Sequence, residues 1–402
     1  MDEMTVRDVD VRDKKVLVRV DFNVPLNDKG EITDDGRIRA AMPTIEHLVE
    51  NGAKVILMSH MGRPDGKAAP SLSLKVAADR LSELMRQKVE FIDACVGERV
   101  EIAAGKLKSG DVLLLENLRF HPEEEANDPE FARQLAQLGE LYVDDAFGTA
   151  HRAHASIVGV TKYLPAVAGL LLEKELIALG QILENPARPF CVLFGGAKIT
   201  DKVKLLENVM DKVDTILVGG GMAATFLKAD NYEVGKSIVD EKLELAAKLM
   251  AKAKKFGIKL LLPRDVIVTG DLTPEARGVC VPIEKIPPLG RIVDIGLLAI
   301  SLFTKELERC RTVFWNGPMG IYEMPQFSEG TKAMAEVIGR LHASTIIGGG
   351  STAEIVAELK MAEKMSFVST GGGSSMLFLS GEKLPGVEAL LKKAAIGKRN
   401  LG

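Results

Sequence analysis

The sequence has 402 residues, of which 46% are hydrophobic and 27% are charged, and its formal net charge is −4. This length suits two domains rather than one, and the mildly acidic balance argues against a dedicated nucleic-acid binder, which would carry a basic stripe. No apolar run reaches membrane-spanning length, and the first residues lack the basic and apolar regions of a signal peptide. The four cysteines show no metal-ligand spacing. We therefore expect a soluble cytoplasmic protein with no membrane or nucleic-acid partner.

The first half of the chain alternates short apolar runs with amphipathic stretches. Runs of Val, Leu and Ile predict strands at 16–20, 55–58, 112–115 and 141–143. Apolar residues at helical spacing predict helices at 43–50, 74–87 and 124–138. Strands and helices that alternate in this way indicate βαβ units around a parallel sheet.

Cationic and polar side chains follow these predicted strands. His60 and Arg63 come directly after one strand, and Arg119 follows another. Ligands of an open parallel sheet bind outside the carboxyl ends of its strands, and the planar guanidinium grips carboxylate and phosphate through two parallel hydrogen bonds. The sequence therefore predicts a crevice for a small, highly anionic, hydroxyl-bearing molecule. The arginines expected to face it are Arg19, Arg37, Arg63, Arg119 and Arg152.

Other polar residues in this half have competing interpretations. His60, His151 and His154 resemble metal ligands in type, but no third ligand is obvious, so we favour hydrogen-bonding or structural roles. Asp144 and Asp145 end a predicted strand. They are interpreted either as a carboxylate pair or as anchors for a loop and partners for arginines.

The middle of the chain predicts a boundary between two domains. Residues 165–183 predict a single helix, and residues 190–194 begin a new strand after Arg188 and Pro189. A single helix that joins two halves is a candidate hinge element.

Predicted strands of the second half end in glycine-rich loops at 195–198, 219–222, 348–352 and 370–375. Glycine lets backbone N–H groups approach an anion, and the N-terminus of a following helix adds partial positive charge. Each loop alone is equally compatible with a tight turn, but four in one domain indicate a nucleotide polyphosphate site. Lys198 and Lys202 lie one helical turn apart beside the first loop, where they are placed to neutralise phosphate; a solvated surface pair is the alternative.

The stretch 315–323 follows another predicted strand. It offers the amide of Asn316 and the carboxylate of Glu323 to a nucleotide, and a ribose diol would suit Glu323. A Pro-Gly turn that covers the core is the alternative.

A dinucleotide-dependent dehydrogenase remains a rival interpretation at this point. The stretches 219–224 and 348–353 formally fit the relaxed dinucleotide fingerprint. That fingerprint belongs to the first βαβ unit of its domain, and neither stretch opens the second half. The P-loop pattern is absent from the sequence, which argues against a P-loop fold as the basis for nucleotide binding.

Five stretches together resemble the phosphoglycerate kinase family, and the resemblance runs from residue 16 to about 386. They are residues 19–25, 59–64, 195–198, 219–222 and 315–320. The resemblance implies an α/β fold with two Rossmann-like, doubly wound parallel-sheet domains joined by a helix and hinge. Residues 1–170 would bind phosphoglycerate, 171–185 would form the interdomain helix, 186–384 would bind nucleotide, and 385–402 would pack back on the N-terminal domain.

The resemblance also implies an activity. It is the reversible glycolytic transfer of the acyl phosphate of 1,3-bisphosphoglycerate to ADP, which gives ATP and 3-phosphoglycerate, by in-line transfer in a closed two-domain cleft. Mg²⁺ would accompany the nucleotide, and the protein would be a monomer. The alternatives are an NAD-dependent dehydrogenase and a non-catalytic relative that binds nucleotide or phosphoglycerate.

Site residues follow from the resemblance position by position. The triose-binding set would be Asp21, Asn23, Arg37, His60, Arg63, Arg119 and Arg152. The nucleotide-binding set would be Lys198, Lys202, Gly219, Gly220, Asn316, Glu323, Gly348, Gly349, Gly350, Ser351 and Thr352. The transferring phosphoryl group would meet Arg37 and Lys198, and a cage of backbone N–H groups would come from Gly349, Gly350, Gly372 and Gly373.

Ser351 departs from the family pattern, in which the loop after three glycines usually continues with an Asp that ligates the metal of the nucleotide. A hydroxyl is a weaker, neutral Mg²⁺ ligand than a carboxylate. The metal would then be held by phosphates and water with help from Ser351, or another acid such as Asp201 would contribute. The metal ligands therefore stay unknown from the sequence.

Overall fold

A computed structural model of the protein describes residues 4–200 and 202–390. The chain divides into two compact units: the described residues up to Ile177 and from Lys383 onward form the first, and Ala178–Glu382 forms the second. Gly386 donates a backbone hydrogen bond to the carbonyl of Ala150 at 2.9 Å within the first unit. Most of the predicted segment 385–402 lies outside the described residues. No helix in the described ranges is long and apolar enough to cross a membrane.

The first unit is built on a six-stranded parallel sheet with the strand order β3-β4-β2-β1-β5-β6. Its strands are β1 (Lys15–Arg19), β2 (Lys54–Met58), β3 (Val89–Ile92), β4 (Val112–Leu115), β5 (Leu141–Asp144) and β6 (Ala166–Ala168). Because β1 pairs with β2 up to Arg19 opposite Met58, the loops after both strands leave the sheet at the same edge.

The helices of this unit include one at Glu98–Lys106 that was not predicted, and the predicted helix over 43–50 begins earlier, at Gly36. They are α1 (Gly36–Glu50), α2 (Lys75–Met85), α3 (Glu98–Lys106), α4 (Pro122–Glu125) and α5 (Pro129–Ala136). The predicted helix over 124–138 is broken, because Asn127 has a φ of +53° and Asp128 starts a new helix by accepting from the amides of Glu130 and Phe131. The predicted helix over 165–183 starts later, because residues 166–168 pair with β5 as an edge strand.

The second unit repeats the parallel architecture with the strand order β15-β14-β13-β7-β8-β9. Its strands are β7 (Phe190–Phe194), β8 (Thr215–Val218), β9 (Lys259–Leu261), β13 (Thr312–Asn316), β14 (Ser344–Ile347) and β15 (Phe367–Val368). From β7 the chain runs outward through β8 and β9, whereas β14 and β15 lie on the far side of β13. The strand order therefore reverses between β7 and β13, which is where open α/β sheets bind ligands.

A three-stranded antiparallel sheet accompanies the second unit and was not predicted. It contains β10 (Asp265–Thr269), β11 (Val279–Pro282) and β12 (Arg291–Ile295) in the order β11-β10-β12. Its outer strand β11 is largely exposed, so it lacks the continuous apolar run that marks the strands of the parallel sheets.

Helix α6 (Leu170–Glu184) starts in the first unit and ends in the second. The other helices of the second unit are α7 (Val203–Val209), α8 (Gly220–Ala229), α9 (Leu243–Phe256), α10 (Leu297–Leu307), α11 (Glu329–Ile338), α12 (Gly350–Glu358) and α13 (Gly373–Leu379). Helices α8, α12 and α13 each begin at a glycine shortly after a strand. Two parallel sheets flanked by helices confirm the predicted α/β class.

Candidate functional site

Three of the predicted arginines line one cavity in the first unit. This cavity of about 260 Å³ is bounded by Arg63, Arg119 and Arg152 together with Asp65 and Glu125. The lining thus carries three cationic and two anionic side chains. One positive charge is therefore in excess, which favours an anionic ligand that the guanidinium groups can hold through paired hydrogen bonds.

Arg119 is held in this cavity by the loop that follows β2. It lies on the single 3₁₀ turn Leu118–Phe120 and is 6% exposed. Its Nη1 donates to the carbonyl of Gly62 at 2.8 Å, and its Nε lies 3.1 Å from Glu125 Oε1. Burial lowers the pKa of Arg119 from its ordinary value, and the charge of Glu125 opposes that shift.

Asn117 connects the loop that carries Arg119 to the segment that follows β2. The sequence analysis did not identify Asn117 as a site residue. Its Oδ1 accepts from the amides of Met61 and Arg119 at 3.2 and 3.0 Å. Its Nδ2 donates to the carbonyls of Met61 and Leu72 at 2.7 and 2.9 Å. The side chain is fully buried. The available signal was a polar residue two positions after the apolar strand β4.

Asp21, Asn23 and Arg37 form a connected group beside these loops. Arg37 Nη1 lies 2.6 Å from Asp21 Oδ2, and Asp21 Oδ1 accepts from the amide of Asn23 at 3.2 Å. Asn23 Oδ1 in turn accepts from the amide of Gly62 at 2.9 Å. Gly62 has a φ of +61°, and a Cβ there would lie 2.8 Å from Leu72 Cδ2, so both backbone conformation and space require glycine.

His60 is buried among cationic side chains. Burial is the main reason why its pKa lies well below the usual value, and the positive charges of Arg19, Arg119, Arg37 and Arg152 lower it further. His60 is therefore a neutral imidazole at neutral pH, so it contributes hydrogen bonding rather than charge to an anion site.

Arg19 contacts His60 from inside the protein and does not line the cavity bounded by Arg63, Arg119 and Arg152. It is 1% exposed. Its guanidinium donates to Ser156 Oγ at 2.9 Å and to the carbonyl of Val20, and it also contacts His60. The expectation that Arg19 faces the ligand crevice is corrected accordingly: its donors are used inside the protein.

Asp144 and Asp145 anchor backbone segments. Asp144 Oδ1 accepts from the amide of Ala146 at 3.0 Å, and Asp145 Oδ1 accepts from the amides of Leu171 and Leu172 at 2.8 and 3.3 Å. Burial raises the pKa of Asp144 to about 6 and that of Asp145 to about 8. The loop-anchor interpretation therefore describes both residues, and Asp145 attaches the start of α6.

The glycine loops of the second unit fall into two groups, and the first group is required by packing. A Cβ on Gly195 would lie 2.0 Å from the carbonyl oxygen of Pro318, and one on Gly317 would lie 2.4 Å from that of Gly195. The amide of Gly219 donates to Phe194 and that of Gly220 donates to Met319. These amides are already used in backbone hydrogen bonds, so here glycine serves the close approach of neighbouring loops.

The second group of glycines is open. A Cβ on Gly350, Gly372 or Gly373 would meet no atom within 4 Å. Gly350 and Gly373 are the first residues of α12 and α13. A Cβ on Gly349, in contrast, would lie 2.4 Å from Asn316 Nδ2. Within the described residues, the amides of Gly349, Gly350, Gly372 and Gly373 donate no hydrogen bond. This group has the geometry expected of amides that receive an anion.

Asn316 and Thr352 tie the strand ends of the second unit together. Asn316 is 4% exposed, and its Nδ2 donates to the carbonyl of Gly348 at 2.7 Å. Thr352 Oγ1 accepts from the amide of Gly317 at 2.7 Å. Both predicted nucleotide contacts thus lie at the loop cluster, where they brace the backbone.

The predicted lysines of this unit have different surroundings. Lys202 donates through Nζ to the carbonyls of Gly195 and Asn316 at 2.5 and 3.0 Å, and it lies 5.8 Å from the ring centroid of Phe194. Lys198 is exposed and makes no hydrogen bond or ion pair in the part of the chain that the structure describes. Glu323 and Ser351 are also exposed.

Among the described residues, no group of three or more His, Cys, Asp or Glu is arranged to hold a metal ion. Ser351, the second residue of α12, supplies a neutral hydroxyl at the open loop. Mg²⁺ commonly uses one or two carboxylates together with phosphates and water. The donor set therefore fits a cation that arrives with phosphate groups and does not fit a cage made of protein alone. Asp201, the other acid considered, lies outside the described residues.

Comparisons with known proteins agree with this geometry. The family model described as phosphoglycerate kinase matches residues 6–382. The phosphoglycerate kinase of Pelotomaculum thermopropionicum is 52% identical over 98% of this chain and 100% of its own length, and that of Moorella thermoacetica is 51% identical over the same shares. The solved structure of phosphoglycerate kinase from Coxiella burnetii superposes with a TM-score of 0.88 at 38% identity, covering 98% of this chain and 100% of that one.

Proposed function

The chain belongs to the phosphoglycerate kinase family, and we propose here which of its residues carry out the reaction. It is a glycolytic phosphotransferase that moves the acyl phosphate of 1,3-bisphosphoglycerate to ADP, reversibly, to give ATP and 3-phosphoglycerate. The match over nearly the whole chain to proteins of this name favours neither a dehydrogenase nor a non-catalytic relative.

The first unit binds the triose in this proposal. The observation that carries it is the cavity shared by Arg63, Arg119 and Arg152, because three guanidinium groups suit the phosphate of 3-phosphoglycerate. Asp21 and Asn23 would orient the neighbouring loop and Arg37 through the contacts described above. His60 would donate a hydrogen bond to an oxygen of the ligand.

The second unit binds the nucleotide in this proposal. The open amides of Gly349 and Gly350 at the start of α12 support phosphate binding. Glu323, Asn316, Lys202 and the loop from Gly348 to Thr352 complete the predicted set. Gly219 and Gly220 would contribute by shape, since their amides are used within the protein.

Transfer itself requires positioning and charge stabilisation rather than proton abstraction, because the accepting carboxylate of 3-phosphoglycerate is already ionised. Arg37 and Lys198 would stabilise the phosphoryl group in flight, with the amides of Gly372 and Gly373 added to those of Gly349 and Gly350. Hinge bending that brings the two bound substrates together and excludes water is part of the proposal.

Mg²⁺ would arrive with the phosphates of the nucleotide, and the hydroxyl of Ser351 would help to hold it. When bound, the cation supplies charge neutralisation at the phosphates. The residues of the chain position the nucleotide and shield the transferring group.

ATP-dependent turnover of 3-phosphoglycerate, coupled to NADH oxidation, tests the assignments. We expect Arg37→Ala and Lys198→Ala each to lower kcat by about a hundredfold, because each removes one donor that stabilises the transition state. Lys248→Ala, an exposed lysine on α9, is the matched control and should leave kcat unchanged. Unchanged kcat in both site variants would contradict the catalytic assignment.

The monomeric state and the cytoplasmic location are also proposed, as is the division of roles between the two units. Sedimentation analysis of the full chain, with and without both substrates, tests the oligomeric state. A mass of two chains at micromolar concentration would contradict a monomer.

A further inference from the structure

Arg19 and His60 form a buried pair whose hydrogen bond has one possible direction. Arg19 Nη2 lies 3.3 Å from His60 Nδ1. A guanidinium has only donors, so Nδ1 must turn its lone pair toward Arg19. The proton of the neutral ring then resides on Nε2, and Nε2 makes no hydrogen bond to the protein within the described residues.

The groups around His60 favour the neutral form. Four arginines, Arg19, Arg37, Arg119 and Arg152, together with burial, lower its pKa well below the usual value. Asp21 is the carboxylate that faces it, with Oδ1 at 3.9 Å from Nδ1. At that distance Oδ1 accepts no hydrogen bond from Nδ1, and Oδ2 of the same carboxylate pairs with Arg37 at 2.6 Å.

Arg19 is itself held in a fixed orientation by buried partners. Its Nε donates to Ser156 Oγ at 2.9 Å. Ser156 in turn donates to the Glu124 carboxylate twice: its hydroxyl donates to Oε1 at 2.6 Å, and its backbone amide donates to Oε2 at 2.9 Å. Burial would raise the pKa of Glu124, but hydrogen bonding to His154, the charge of Arg19 and hydrogen bonding to Ser156 lower it overall. The Glu124 carboxylate therefore balances the charge of Arg19.

We propose that Arg19 is a positioning residue that fixes His60 as its Nε2–H tautomer, so that His60 offers the triose a neutral, directed hydrogen bond. The inference rests on the proposed assignment of His60 to the triose site. The ligand group that fits this donor is an oxygen acceptor of the triose. Recognition of negative charge is left to the arginines of the cavity.

The ring nitrogens of His60, observed by ¹⁵N NMR in the enzyme without ligand, test the tautomer directly. We expect an unprotonated Nδ1 and a protonated Nε2, with no titration between about pH 6 and 8. Imidazole added to the buffer reports the pH, and His60→Gln assigns the signals. A protonated Nδ1, or protonation of the ring within that range, would overturn the proposal.

Two variants separate positioning from a general structural role. Ser156→Ala removes the side-chain hydrogen bond that Arg19 Nε makes and leaves every charge in place. The double variant Arg19→Gln with Glu124→Gln removes the guanidinium charge and the carboxylate charge that balances it. We expect both to populate the Nδ1–H form and to raise the KM for 3-phosphoglycerate roughly tenfold, the size of one directed hydrogen bond to a charged group. Ser82→Ala is the control, because Ser82 is a half-buried serine of the same unit that hydrogen-bonds to the backbone of Ala78 and Val89.

These readouts also separate this inference from the assignment of the triose site. A raised KM with an unchanged tautomer in both variants overturns the positioning role of Arg19. Addition of 3-phosphoglycerate should shift the Nε2 signal of His60. An active enzyme in which that signal does not shift would contradict the triose assignment of His60, while the tautomer in the free enzyme would still be measured.

Discussion

Lys202 Nζ donates a 3.0 Å hydrogen bond to the backbone carbonyl of Asn316, and the same ammonium reaches the carbonyl of Gly195. These carbonyls follow or end β7 and β13, the two strands between which the strand order reverses. A residue predicted to contact phosphate therefore joins the two strand ends in this structure. Its charge remains at the edge of the sheet where an anionic ligand is expected.

Lys202→Met should accordingly destabilise the protein as well as weaken nucleotide binding. Two carbonyls lose their donor, and we expect the free energy of unfolding to fall by about 2 kcal/mol. Denaturant titration of the variant measures this change. Lys198→Ala is the matched comparison, because that lysine is exposed and should affect kcat without changing stability. Equal stability of Lys202→Met and wild type would contradict the bracing role.

Asn117→Ala should disturb the triose site without touching an arginine. The substitution removes the side chain that bonds Met61, Leu72 and Arg119, so the loop amides and carbonyls lose buried partners. We expect a loss of about 3 kcal/mol in the free energy of unfolding and a raised KM for 3-phosphoglycerate. Asn27→Ala, at an exposed turn, is the control; an unchanged KM for Asn117→Ala would contradict the prediction.

Asp145 should make stability fall as the pH rises. Its pKa is about 8 in the folded protein because of burial, against an ordinary value of 3.8. The folded state therefore keeps a proton that the unfolded state releases. The stabilising contribution is complete below pH 3.8 and is lost progressively as the pH approaches 8.

Asp145→Asn removes this titration while keeping an acceptor for the amides of Leu171 and Leu172. The free energy of unfolding of the variant minus that of wild type should rise by about 1.4 kcal/mol per pH unit between about pH 5 and 7. Urea denaturation at several pH values measures the difference. Parallel curves for the two proteins would show that Asp145 is ionised in the folded state.

Ser351→Asp should tighten binding of the magnesium complex of ADP. A carboxylate at the start of α12 adds a charged oxygen ligand where the hydroxyl is neutral. We expect roughly tenfold tighter binding, equivalent to about 1.4 kcal/mol, in calorimetric titrations. ADP with EDTA should not gain affinity, and Ser351→Ala should change little. A higher affinity for ADP in the absence of Mg²⁺ would show that the new carboxylate does not act by binding the metal.

The sequence was sufficient for the elements whose pattern has one physical explanation. The runs at β2, β4 and β7 are continuously apolar because both faces of a parallel sheet are buried. The arginines after β2 and β4 could be placed at one edge because parallel strands end on the same side. The predicted helix over 124–138 is divided at Asn127 and Pro129. Both residues are visible in the sequence as helix-breaking signals, but the prediction gave more weight to the helical spacing of the apolar residues.

The direction of a side chain at a strand end could not be obtained in the same way. When both faces of a strand are buried, alternation carries no information about the direction of a side chain, and Arg19 is the last residue of such a strand. Only the fold shows that Arg19 turns inward to Ser156 and that Arg119 reaches a cavity. Likewise, a glycine required for packing at 317 and an open glycine at 350 are indistinguishable until their neighbours are known.

The open glycines have a consequence for how the site tolerates change. A methyl group at Gly350 or Gly373 meets no protein atom within 4 Å, and neither residue has a positive φ. Folding therefore places no steric restriction on these two positions, in contrast to Gly195 and Gly317. If the nucleotide phosphates bind these loops as proposed, a side chain added at Gly350 or Gly373 would obstruct the ligand and leave the fold intact.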